Sequence, residues 1–256
     1  MQAHPTSPLV PEELLARFHH AAKQQAFAIE EIAPGIPAYS RQSNGPTDSP
    51  VIQLSAGIHG DEPAGPLAAL AFLKSDLSPH INWLLTPLLN PSGIAQGTRE
   101  NKQGLDLNRD YHLPQSAEIQ AHCHWLNRQP PPDLFISLHE DYEGTGFYLY
   151  EIQTGGQPTI HDRIFQHITP HLPIEPGPII DGRESSGDGW FFIEELPDIE
   201  EFRQEEGGYP EALFLAQKGC PLSLTFETPT HAAPIQTRIA AHLAAIEAAI
   251  DEFRKF

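Results

Sequence analysis

An α/β fold is predicted for this chain: one domain built on a mixed, mostly parallel β-sheet with helices on both faces. Short apolar runs at 51–56, 81–89, 133–138 and 221–226 read as buried strands. Segments with apolar residues at helical spacing alternate with them, the pattern of sheets covered on both sides. The 256 residues, 39% of them hydrophobic, suffice for one core and sit near the upper limit of what one core serves. No internal repeat or linker divides the sequence, so residues 1–256 are expected to form a single catalytic-sized domain.

Residues 8–28 open the chain as a helix, with Leu9, Leu14, Leu15, Phe18, Ala21 and Ala22 on one face. Pro11-Glu12-Glu13 suits its first turn, a proline early and acids at the positive end of the dipole. Two turn signals, Pro34-Gly35 and Asn44-Gly45-Pro46, bracket a short strand near Ala38-Tyr39-Ser40. The strand at 51–56 runs into Gly57-Ile58-His59-Gly60-Asp61-Glu62, and a helix follows from Pro66 to Leu77. Ile81 to Leu89 is a strand, and Asn90-Pro91-Ser92-Gly93 a turn. Residues 94–113 are polar and glycine-dotted; a loop of that length in a compact domain is usually functional. A helix is expected over 115–128, a strand over 133–138 ending in His139, and an aromatic strand over 147–150. A helix over 160–172 follows. Residues 173–208 read as an acidic loop, notably 194–206. A short helix over 210–218, a strand over 221–226 ending in Glu227, and an alanine-rich helix over 235–253 close the chain.

Composition excludes several partners. The formal net charge is −19, which repels phosphate backbones and anionic lipid, so nucleic acid and membrane surfaces are poor partners. No run approaches the apolar length of a membrane span. Met1-Gln2-Ala3-His4-Pro5 lacks the basic and apolar blocks of a signal peptide, so a cytoplasmic location is expected. Proline is abundant, 26 residues, but scattered between periodic segments, which reads as loop-rich and globular. Cys123 and Cys220 have no near spacing and are expected as free thiols. Neither lies in a ligand pattern, so a metal here would use histidine and carboxylate.

Three strands end in ionisable side chains: His59 with Glu62, then His139, then Glu227. In a parallel-type sheet, adjacent carboxyl ends meet in one crevice. Two imidazoles and one carboxylate are the ligand set of hydrolytic zinc. The gap in His-x-x-Glu lets both side chains point one way from one turn. Glu227, arriving on a separate strand, suits the general base that takes a proton from the attacking water. Arg99 and Arg109 flank Asp106 and Asn108 in a chain with only 15 basic residues. A guanidinium binds a carboxylate through two parallel hydrogen bonds and can stabilise an oxyanion. Asp106 can orient a ligating imidazole. Each piece alone has a plainer reading: a hydrogen-bonded structural histidine, an acid in the first turn of a helix, a buried paired glutamate, an ion-paired loop. The ordered set at strand ends favours a site.

The segments Gly57–Glu62, Asn90–Gly93, Arg99-Glu100-Asn101, Gly104-Leu105-Asp106-Leu107-Asn108-Arg109, His139 and Glu227 together resemble the M14 family of zinc metallocarboxypeptidases. The likeness runs in order from about residue 50 to 230 and is nearest to small bacterial members such as the murein peptide amidases. The succinylglutamate desuccinylase and aspartoacylase group shares His-x-x-Glu and Asp-Leu-Asn-Arg, but usually places its upstream arginine nearer that element, so Arg99-x-Asn101 favours the peptidase branch. The resemblance implies a zinc carboxypeptidase-like (phosphorylase/hydrolase-like) fold and one Zn2+ held by His59, Glu62 and His139, with Asp106 supporting His59. It implies that Arg99 polarises the scissile carbonyl, that Asn108 and Arg109 grip a C-terminal carboxylate, and that Glu227 is base and then proton donor. It makes Tyr209, in Gly207-Gly208-Tyr209-Pro210, the candidate for a tyrosine that closes over substrate, against a turn tyrosine packed on the core. The expected partner is a small peptide or peptide-like amide with a free carboxylate; N-acyl amino acid deacylation is the alternative. Glu140, Asp141 and Glu143, with the 194–206 run, suggest a cleft rim attractive to cations, and Arg183 and Asp188 are further candidates to face the substrate.

Overall fold

The computed structural model describes residues 9–255; the stretch Met1–Pro5, and residue 8 of the first expected helix, lie outside the described residues. Helix α1 (Pro11–Gln24) buries Leu14, Phe18, Ala21 and Ala22, the face its spacing predicts. Strands β1 (Ala28–Ala33) and β2 (Ile36–Arg41) form an antiparallel hairpin. β1 escaped sequence reading because its Glu30 and Glu31 break the apolar pattern; it is an edge strand, where charge is tolerated and discourages further pairing. Strand β3 (Val51–Ala56) is buried at every position. Helix α2 (Ala64–Leu73) starts and stops earlier than the pattern suggests, and strand β4 (Asn82–Thr86) follows it.

The expected loop over 94–113 is partly helical. Asn90 caps the short helix α3 (Pro91–Gln96) by accepting from the Gly93 amide, and Asp106 caps a 3-10 turn at Leu107–Arg109 by accepting from Asn108 N. Helix α4 (Ala117–Leu126) has Ser116 as its cap. Strand β5 (Leu134–Asp141) runs on past His139, strand β6 (Tyr148–Gln153) follows, and α5 (His161–Ile168) packs behind them. The acidic segment 173–208 is not the loop its composition suggests. It holds a small hairpin of β7 (Ile179–Ile180) and β8 (Arg183–Glu184), strand β9 (Trp190–Ile193), and helix α6 (Ile199–Glu206), which Asp198 caps. Helix α7 (Glu211–Gln217), strand β10 (Leu222–Pro229) and helix α8 (Ile235–Phe253) complete the chain.

The eight-stranded sheet has the order β1-β2-β4-β3-β5-β10-β6-β9. Strands β4, β3, β5 and β10 run parallel at its centre, and antiparallel pairings flank them. The expected mixed, mostly parallel α/β fold is thus the observed one. One apolar cluster lies between the sheet and α1, α2, α5 and α8. A second lies between the opposite face and α4 and α7. The three strands that end in the candidate site residues, β3, β5 and β10, are neighbours, so their carboxyl ends open on one crevice.

Candidate metal centre

Gly57, with a positive φ of 66°, turns the chain at the end of β3 and starts the loop that bears His59 and Glu62. That loop lies hard against the α3 turn. A Cβ on Gly60 would sit 1.9 Å from the Gly93 carbonyl carbon, so the loop needs glycine there to meet the α3 turn. Gly60 N also donates to Thr98 O at 2.9 Å. Across the sheet, β10 aligns Glu227 with His139 on β5 and with Tyr148 on β6. Paired residues of neighbouring strands point to one face, so Glu227 stands between His139 and Tyr148 on the cavity side.

His59, Glu62 and His139 converge, and all three are buried. His59 Nδ1 lies 2.6 Å from Glu62 Oε1 and 3.3 Å from His139 Nδ1; His139 Nδ1 lies 3.0 Å from Glu62 Oε2. Ligands about 2.0–2.1 Å from a tetrahedral ion stand roughly 3.3 Å apart, so the donor set and its spacing fit a divalent metal. His59 Nε2 faces Asp106 Oδ1 at 3.1 Å. A proton donated there from Nε2 leaves Nδ1 free to ligate. Arg99 binds the other Asp106 oxygen through Nε at 3.0 Å, and its Nη1 lies 3.8 Å from Glu62 Oε1.

The electrostatics follow this geometry. Burial alone would raise both Glu62 and Asp106. The imidazoles of His59 and His139 instead hold Glu62 well below the carboxylate range, and His59 with Arg99 does the same for Asp106. For Glu227 the opposing charge of Arg99 is outweighed. Burial, then the negative charges of Glu62, Asp141 and Asp181, push it well above the carboxylate range.

The centre opens on a cavity of about 680 Å³, whose walls include Arg99, Asn108, Arg109, Glu227, Tyr148 and Tyr150. Asn108 Oδ1 accepts from Glu211 N at 3.1 Å, which leaves Nδ2 as a donor. Arg109 is fixed on the wall by Nε to Glu206 O and Nη1 to Asn108 O, both at 3.2 Å. The β7–β8 hairpin adds Asp181 and Arg183 to the wall; Arg183 pairs with the Glu206 carboxylate. Every predicted ligand, Glu227 and the Arg99–Arg109 loop therefore reach one cavity.

Tyr209 does not line that cavity. Its ring is 1% exposed and packs edge-on against Phe202 and His112, as a core tyrosine does. What it contributes is backbone: Tyr209 N donates to Arg109 O and its own carbonyl accepts from Tyr111 N, which anchors the arginine. The acidic rim also needs correction. Glu140 borders the cavity, but its side chain is fully buried and its carboxylate turns to Arg238, while Glu143, the acids of 194–206 and Asp188 do not line the cavity. Asp188 instead accepts from Gly177 N at 2.8 Å. Asp141 and Asp181 remain on the wall, accepting from the hydroxyls of Tyr148 and Tyr150 at 3.2 and 3.1 Å. Sequence reading missed these two tyrosines as wall residues, although their i, i+2 spacing on an aromatic strand carried the signal.

Comparison with known proteins agrees with this architecture. Residues 48–169 match the family model of the succinylglutamate desuccinylase/aspartoacylase catalytic domain. No curated protein matches the chain by sequence. Among solved structures, a candidate metallopeptidase from Shewanella amazonensis superposes with a TM-score of 0.77 at 25% identity, covering 94% of this chain and 92% of its own. A candidate metallopeptidase from Shewanella denitrificans gives 0.78 at 23% identity, over 94% and 89% of the two chains. A metallo-carboxypeptidase from Burkholderia cenocepacia gives 0.66 at 17%, over 96% and 70%. The resemblance read from the sequence is borne out. The two comparisons divide between its branches: the sequence match is to the deacylase group, and the structural matches are to peptidases.

Proposed function

We propose that this protein is a zinc-dependent metallocarboxypeptidase that hydrolyses a peptide or peptide-like amide next to a free carboxylate. The observation that carries the proposal is the register of β5 and β10, with Glu227 set beside His139 at the mouth that Asn108 and Arg109 line. His59, Glu62 and His139 would hold one Zn2+, which supplies Lewis-acid activation of a water and of the scissile carbonyl. Asp106 fixes the His59 tautomer and orients Arg99. Arg99 offers its guanidinium to the oxyanion that develops on the substrate carbonyl. Asn108 Nδ2 and Arg109 bind the terminal carboxylate and so set which amide lies over the centre. A divalent charge bound beside Glu227 would offset the acids that raise it and keep it ionised, so that its carboxylate takes a proton from the attacking water and passes it to the leaving amine nitrogen. Tyr209 has no part in this account.

A second reading, deacylation of N-acyl amino acids, has the match of residues 48–169 behind it. The cavity favours the peptidase. About 680 Å³ lies within the size range of pockets that take drug-sized ligands, far more than an acetyl or succinyl amino acid fills. A dipeptide and tripeptide series, the same peptides with amidated C-termini, and N-acetyl and N-succinyl amino acids separate the two. Free-carboxylate peptides should be cleaved best, and amidation should lower kcat/KM about 100-fold through loss of a charge-assisted contact. Faster turnover of the N-acyl amino acids would reverse the assignment.

A further inference from the structure

Strand β5 sends successive side chains to opposite faces of the sheet. His139 enters the cavity; Glu140 enters the layer between the sheet and α2 and α8. Glu140 is 5% exposed, and its two oxygens face two different elements. Oε1 accepts from Ala64 N at 2.5 Å. Ala64 is the first residue of α2, two positions beyond Glu62. Oε2 meets Nη1 of Arg238 on α8, itself 3% exposed.

The first amides of a helix have no partner within it. Helix α2 has Pro63 at its cap position and no side-chain cap of its own. Glu140 thus caps α2 from another strand, and its charge suits the positive end of the dipole. The contact is close throughout: a Cβ on Gly65 would lie 2.9 Å from Leu138 O. The turn holding His59 and Glu62 and the strand holding His139 are therefore tied together one residue beyond the third ligand. Among the described residues, neither Nε nor Nη1 of Arg238 has a hydrogen bond of ordinary geometry; the Glu140 carboxylate is the acid its buried charge meets.

We propose that Glu140 and Arg238 are positioning residues for the metal centre: a buried ionic clamp that holds the His59–Glu62 turn against the His139 strand and so sets metal affinity without touching metal or substrate. This rests on reading His59, Glu62 and His139 as the metal site. Ligand atoms must keep their separations to a few tenths of an ångström for tetrahedral binding, and partners that orient ligands typically govern affinity about 10–100-fold.

The test is zinc affinity, measured by competition with a chromophoric chelator, alongside the melting temperature of the metal-free protein. Glu140→Gln alone strands the Arg238 charge, so the doubly neutral Glu140→Gln/Arg238→Met is the principal variant; exchanging a buried pair for neutral groups often leaves folding intact. Its zinc dissociation constant should rise at least about tenfold with helical signal and melting temperature retained. Glu140→Asp, which keeps the charge but shortens the reach to Ala64, should show the same loss and decides the matter if the double variant does not fold. Arg238→Lys, which keeps a charge facing Glu140, should retain most of the affinity. A folded variant with wild-type zinc affinity overturns the clamp. Wild-type protein that binds no zinc overturns the metal reading itself, and the clamp with it.

Discussion

His59 shows how two nitrogens on one ring divide their work. Nε2 meets Asp106 and Nδ1 meets Glu62 and His139. Asp106→Asn keeps the shape but can present an amide donor where an acceptor is needed. It should weaken zinc binding about 10–100-fold, read by chelator competition. Glu227, the proposed base, is not one of the three converging side chains. Glu227→Gln should therefore retain metal while kcat falls about 10²–10⁴-fold; steady-state kinetics with metal analysis checks both. The proposed ligands and the proposed base stood out in the sequence because each follows an apolar run. Glu140 was misread as a rim acid because nothing local tells that its partner is Arg238, 98 positions away (238 − 140) on the last helix.

Elements defined by strong periodicity matched their expected positions: α8 is observed at 235–253 as read, and β3 at 51–56. Those missed within 173–208, β7 to β9 and α6, are short and set in an acid-rich stretch, and what holds them is contact with other elements. β9 pairs with β6, and Arg183 of β8 pairs with Glu206 of α6. Helix α7 carries a buried acid that had no signal either. Glu211 accepts from Ser55 Oγ at 2.8 Å and Gln53 Nε2 at 3.3 Å, and burial pushes its pKa up to about 8. Burial lowers the nearby His122 to about 3, so acid and imidazole are both neutral at pH 7. The unfolded Glu211 titrates near 4.5. Folding therefore favours the protonated acid, and the contribution of Glu211 to stability falls as pH rises from about 4.5 to about 8. A tenfold difference in proton affinity between the folded and unfolded chain is worth about 1.4 kcal/mol, so the loss is on the order of a few kcal/mol. Glu211→Gln should flatten this dependence, and urea unfolding at pH 5 and pH 8 measures it. Equal pH slopes in the two proteins would show that Glu211 is not the group responsible.

The sheet order turns three distant sequence positions into one centre. β3, β5 and β10 are adjacent, and the cavity opens over their carboxyl ends. Alternation of strand and helix made that crevice legible; the order of strands was not, because pairing partners far apart in sequence leave no local trace. Cys123 and Cys220 are both free and buried, and burial raises both thiols to about 12. No helix among the described residues is long and apolar enough to cross a membrane. A ligand that binds only the folded chain stabilises it by about 4 kcal/mol at a thousandfold excess over Kd. Zinc should accordingly raise Tm by several degrees, and a chelator should reverse the rise; calorimetry with and without chelator checks this. The most direct test of the whole account is metal content after dialysis, measured by inductively coupled plasma mass spectrometry, for wild type and His59→Ala. One equivalent of zinc in the wild type and almost none in the variant is the expected result. A folded His59→Ala protein that still carries one equivalent would contradict the centre described above.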